Sequence, residues 1–128
     1  MRRLIIVVLL IGMLASIVYL FVWSPESWRL YRQAFDAEIW KSSPATWDED
    51  SPRLMMVDDL LATGRLIGQS RESAVQMLGP ADDTPYFRDY DLVYWLGPER
   101  GFFSIDSEWL IIKLDEEGVI RDASLARD

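Results

Sequence analysis

The 128-residue chain contains no histidine, no cysteine and no asparagine. The first two absences remove the commonest general base, the thiol nucleophile and the usual ligands of transition metals. Without cysteine there is no disulfide and no lipid attachment by the lipoprotein-cysteine route, though the redox state of the compartment stays open. Without asparagine there is no N-glycosylation acceptor. Basic residues are also scarce. The sequence has 13 Lys+Arg against 21 Asp+Glu, a net charge of −8. The lysines are Lys41 and Lys113 alone, and neither stands in a Ser-x-x-Lys spacing. An acidic surface of this kind repels phosphate, so nucleic acid is excluded as a partner. A diffuse negative charge otherwise serves solubility.

One long apolar run is present. From Leu4 to Trp23 there is no charge and Ser16 is the one hydroxyl before Tyr19, directly after Met1-Arg2-Arg3. As a helix such a run covers roughly the 30 Å of a bilayer core. The reading is an uncleaved single-pass transmembrane anchor over 1–23, meeting the membrane through residues 4–23. The alternatives are a cleaved signal peptide and a buried core helix. A signal has a shorter apolar stretch and a small-residue site, whereas Tyr19-Leu20-Phe21-Val22-Trp23 is bulky. Leu14-Ala15-Ser16 resembles the start of a lipoprotein cleavage box, but Ile17 stands where the lipidated cysteine would be. Arg2 and Arg3 predict an N-terminus on the inner side. The expected location is therefore the bacterial cytoplasmic (inner) membrane, with the C-terminal domain periplasmic or extracellular. That exported part has 11 Lys+Arg against 21 Asp+Glu, about −10. Tyr19, Phe21, Trp23 and Trp28 would mark the outer interface.

Residues 24–51 read as a juxtamembrane segment. Ser24-Pro25 is a helix start, and Trp28, Tyr31, Phe35 and Ile39 recur at helical spacing, predicting an amphipathic helix. Ser42 to Ser51 is aperiodic and reads as a linker. Its acidic triplet Asp48-Glu49-Asp50 lacks the spacing of a calcium loop. Residues 52–128 then form the domain proper. Ser51-Pro52 starts a helix that Gly64 stops, and Ser70 caps a second that Gly79-Pro80 ends. After this the period changes to two. Strands are predicted over Tyr90–Leu96, Trp109–Leu114 and Val119–Leu125, the last two joined by a hairpin at Asp115-Glu116-Glu117-Gly118. Helices followed by strands give an α+β two-layer fold, ααβββ, with helices on one face of a three-stranded antiparallel sheet.

Arg65-Leu66-Ile67-Gly68-Gln69-Ser70-Arg71-Glu72 leading to Val75 and Leu78-Gly79-Pro80, then Tyr94-Trp95-Leu96-Gly97, then Leu110 to Asp115 and Gly118-Val119-Ile120, resembles the small SmpA/OmlA (BamE-like) envelope domain. That resemblance spans roughly Arg53 to Ser124. It implies the two-helix, three-strand fold of beta-lactamase inhibitor proteins and a part in envelope protein assembly. Members of that family are commonly lipoproteins, so the missing cysteine, the acidic balance and the extra juxtamembrane helix are departures.

No catalytic motif emerges. Glu72 stands where a nucleophile elbow around Ser70 would need its second glycine. Asp82 and Asp83, Asp89 and Asp91, or Asp106 and Glu108 are conceivable acid/base pairs. The aromatic residues are more suggestive. Tyr86 and Phe87 precede the first strand, Trp95 points opposite the Tyr90-Leu92-Tyr94 face, and Phe102 and Phe103 lie in the following connection. A sheet face left free by the helices would present them to another protein, most simply another envelope protein. The bland alternative is a helix-remote mini-cluster. The expectation is a non-catalytic interaction or assembly module without cofactor or metal. Its alternatives are a small ligand-binding or catalytic domain using acidic loops, and a structural subunit of a membrane complex packed through Gly12, Ala15 and Ser16.

Overall fold

The computed structural model describes residues 1–23, 32–101 and 105–128 and, within the first helix, the side chains of residues 1 and 4–19. The chain divides into two compact units, Met1–Arg32 and Gln33–Asp128.

The first unit contains helix α1, Arg2–Trp23. Its run of Leu, Ile and Val holds no proline. Ser16 stays compatible with the helix by donating its hydroxyl to the Gly12 carbonyl at 2.8 Å. The large apolar side chains from Leu4 to Tyr19 are exposed on every side. Among the described residues, no helix is long and apolar enough to cross a membrane. This corrects the expected anchor over 1–23, and with it the single-pass topology and inner-membrane location. Of the aromatic residues expected at the interface, Trp28 and the side chains of Phe21 and Trp23 lie outside the described residues.

The second unit begins extended, not helical. The Gln33 N–H donates to the Met55 carbonyl at 2.7 Å, and the Phe35 N–H to the Asp59 carboxylate at 2.8 Å. Helix α2 is only Ala37–Ser42, started by Asp36, whose carboxylate accepts from the Glu38 and Ile39 N–H groups. The predicted amphipathic helix is corrected accordingly. Phe35 is drawn out of helical register by its bond to Asp59 and by burial against Trp40, ring centroids 5.7 Å apart. Ile39 is exposed instead. Ser24, Pro25, Trp28 and Tyr31 lie outside the described residues.

Helix α3 is Pro52–Ala62 and α4 is Arg71–Leu78. Proline opens α3, as the sequence predicts, but the Ser51 hydroxyl does not cap it. That hydroxyl accepts from the Thr46 N–H and donates to the Leu96 carbonyl, tying the aperiodic 43–51 segment to the sheet. Ser70 does cap α4, accepting from the Ser73 N–H at 3.1 Å. Strands β1 (Leu92–Pro98), β2 (Ser107–Leu114) and β3 (Ile120–Arg127) form an antiparallel sheet in the order β1-β2-β3. The architecture is α+β, with the helices on one sheet face.

Alternation assigns the faces. Leu92, Tyr94, Leu96, Leu110, Ile112 and Ile120 join Leu54, Val57, Leu60, Leu66, Ala74, Leu78 and Trp40 in the main core. Val93, Trp109 and Ile111 form a second cluster on the opposite face, with Phe87, Trp95 and Ala126 packed on it. The register shifts once in each ladder, between Trp95 and Gly97 and between Lys113 and Leu114. The second shift makes Arg121 an extra residue in β3, so that Ile120, Ala123 and Leu125 all serve the helix side.

Candidate protein-binding face

The second cluster lies on the sheet face away from the helices, and segment 81–91 runs beside it. The segment is pinned at both ends. At its start, the Asp82 N–H donates to the Val93 carbonyl at 2.9 Å and its carboxylate accepts from the Trp95 N–H at 2.6 Å. Arg53 of α3 completes that corner, donating to the Trp95 carbonyl at 3.3 Å and lying 3.8 Å from the Asp82 carboxylate. At its end, the Asp91 N–H donates to the Ile112 carbonyl and its carboxylate accepts from the Leu114 N–H at 2.7 Å. The Lys113 ammonium donates to the Asp89 carbonyl and lies 5.5 Å from the Tyr90 ring.

Between these pins Phe87 adopts φ +55°, the one non-glycine residue with positive φ among those described. For a bulky side chain that conformation costs on the order of 1–3 kcal/mol. What offsets it is a ring cluster. Phe87 lies 6.0 Å from Trp109, 6.4 Å from Tyr86 and 6.5 Å from Tyr90, and Tyr86 lies 5.8 Å from Trp109. Trp109 is buried beneath them, and its indole N–H has no hydrogen-bond partner among the described residues. Further along, Trp47 from the 43–51 segment packs on Trp95, centroids 4.8 Å apart.

The structure thus brings Tyr86, Phe87 and Trp95 to one face, while Phe102 and Phe103 lie outside the described residues. Phe87 and Trp95 are partly buried in the cluster, as the mini-cluster alternative expects. Tyr86 stays 50% exposed, and Trp47 stays 69% exposed. Trp47 and Trp109 are the members that sequence reasoning passed over. Trp109 sits in a run too uniformly apolar to reveal which face each residue takes. A lone tryptophan in a Pro- and Asp-containing linker was the available signal for Trp47.

One carboxylate of each pair considered for acid/base work has another task. Asp82 and Asp91 accept backbone N–H groups, as above. Glu108, 1% exposed, receives the Arg100 N–H and guanidinium, and the same guanidinium reaches Asp58 of α3 at 2.7 Å. Burial alone would lower the Arg100 pKa, but its hydrogen bonds to Glu108 and Asp58 outweigh that and raise it above the ordinary arginine range. An open depression of about 530 Å³ is lined by Asp91, Lys113, Asp115, Glu116, Glu117 and Arg121. Among the described residues no cluster of acidic side chains has the geometry to hold a metal ion.

Comparison with family models, with curated proteins and with solved structures found no match to this chain.

Proposed function

We propose that the Gln33–Asp128 unit is a non-catalytic interaction module that contacts another protein through the aromatic face of its sheet. The observation that carries this reading is the pair of exposed rings, Trp47 and Tyr86, seated on the partly buried Trp95 and the buried Trp109. Large aromatic side chains whose bodies are already held by packing lose little conformational freedom on binding, which is why such residues dominate interface energetics. Beside Trp95 stand Arg53 and Asp82, polar groups of both signs. The commitment of Asp82, Asp91 and Glu108 to structural bonds supports a role without catalysis. The resemblance of Arg53 to Ser124 to the SmpA/OmlA domain supports an envelope assembly factor as the class of partner.

The test places a photo-crosslinking residue at Trp47 or Tyr86, with Glu72 and Gln76 on the exposed side of α4 as controls. One discrete adduct is expected from the first pair and not from the second. Trp47→Ala and Tyr86→Ala should then abolish that adduct while the melting temperature falls by only a few degrees. Equal crosslinking at all four positions would overturn the reading.

A further inference from the structure

The two edges of the sheet are finished differently. The β1 edge is closed by Asp82 and Arg53, which occupy the Val93 carbonyl, the Trp95 N–H and the Trp95 carbonyl. The β3 edge is closed at its first residue alone, where the Ile120 N–H donates to the Gln69 carbonyl and its carbonyl accepts from the Gly68 N–H. Ile120 therefore turns both backbone groups away from β2. In an antiparallel ladder this orientation recurs at every second pair. Leu114↔Ile120 is such a pair, so Ile112↔Ala123, Leu110↔Leu125 and Glu108↔Arg127 are the next three. Ala123, Leu125 and Arg127 thus present their N–H and C=O groups outward, and no described residue bonds to them.

An open edge of this length is a template for another strand, and folded proteins ordinarily blunt it. The complementary occupant is itself an extended chain, because only backbone spacing matches backbone spacing. Two features favour a second copy of this strand. The first is charge. The Gln33–Asp128 unit carries 9 Lys+Arg and 20 Asp+Glu, a balance of −11, so two copies repel over most of their surface. Strand β3 is an exception, with Arg121 and Arg127 against Asp122. The second is symmetry. A two-fold axis normal to the sheet through Leu125 pairs Leu125 with itself and Ala123 with Arg127, and satisfies all three outward-facing residues at once. The result is a six-stranded sheet that ends on both sides in a closed β1 edge, so growth stops at two chains.

We infer that β3 is a self-association edge, through which two copies of this chain pair antiparallel about Leu125. Both aromatic faces would then lie on the same side of the joined sheet. This inference does not rest on the function proposed above.

The absence of cysteine allows a clean test on the full chain, with a mild detergent to shield the exposed side chains of α1. Leu125→Cys is oxidised alongside Glu72→Cys as control. Disulfide-linked dimer is expected at position 125, at least tenfold faster than at position 72. Ala123→Pro removes only an outward N–H and should leave a folded chain that no longer associates at β3, seen as rapid exchange of the Leu125 and Arg127 amides. Comparable crosslinking at both cysteines would overturn the inference, placing association in α1. So would rapid exchange of those amides in the unsubstituted chain at high concentration. Protection that arises only when a different protein is added would assign the edge to a foreign strand, and equally overturn it.

Discussion

Gly97 occupies φ +143°, and a Cβ there would come within 2.8 Å of Leu54 Cδ1, 2.9 Å of the Thr46 carbonyl and 3.0 Å of Ser51 Cβ. Three segments meet at this one missing side chain. Gly97→Ala should therefore cost about 2–3 kcal/mol, through both strain and overpacking, measured by denaturant unfolding. Tyr94 is a different kind of single-residue commitment. Its ring is fully buried in the main core and its hydroxyl donates to the Gly79 carbonyl at 2.9 Å. Burial, the largest effect, pushes its pKa up to about 12 from the ordinary 10.0. A pKa raised on folding means stability that is intact below pH 10 and declines as pH rises from 10 towards 12, by about 2–3 kcal/mol in all. Tyr94→Phe should lose about 1 kcal/mol at neutral pH, yet flatten this alkaline decline. Unfolding curves at pH 8, 10 and 11.5 check both parts.

At the scale of elements, the two middle helices and three strands were legible because each carries its own period and its own punctuation. Ser51-Pro52, Ser70, Gly79 and Gly118 stand at the ends where those residue types belong. Strand β1 begins at Leu92 and not at Tyr90, because Tyr90 is taken by the Phe87 turn and by Lys113. Helix α2 was not legible in its observed extent. Phe35 obeys a partner 24 residues away, and local spacing cannot see that. The covering of the outer sheet face by segment 81–91 is likewise a long-range matter, set by Asp82 and Asp91. So the candidate site was half visible, its aromatic residues readable as a set and their degree of burial not.

The bulge in β3 makes an element-level prediction. Deleting Arg121 removes the extra residue and keeps Ile120, Ala123 and Leu125 on the helix side, so the domain should fold with a loss of about 1 kcal/mol. Deleting Ser124 would instead turn Ile120 and Ala123 against Leu125 and should prevent folding. Circular dichroism melts of the two deletions distinguish these outcomes. Between elements, Arg100 joins the β1–β2 connection to α3 through Glu108 and Asp58. Glu108→Ala should cost about 3–5 kcal/mol, because it strands a half-buried guanidinium. The additional substitution Asp58→Ala should then cost less than it does alone, as a double-mutant cycle would show.

At the scale of the whole molecule, the described residues comprise an apolar helix whose side chains from Leu4 to Tyr19 are exposed and an acidic α+β unit that starts at Gln33. The junction of the acidic unit with what precedes it is a short extended seam, Gln33 on Met55 and Phe35 on Asp59. That seam has a mechanical meaning. Tension entering the unit from residue 32 falls first on those two hydrogen bonds and on the Phe35–Trp40 contact, before it reaches the sheet. Pulled from both ends in an optical trap, the chain should yield in two steps. A small early extension would release 33–42 with α2 and leave Trp47 seated on Trp95, and a larger one would follow as the sheet opens. Asp59→Ala should lower the force of the first step and leave that of the second almost unchanged. A unit built this way can give at its entry under load while its binding face stays assembled.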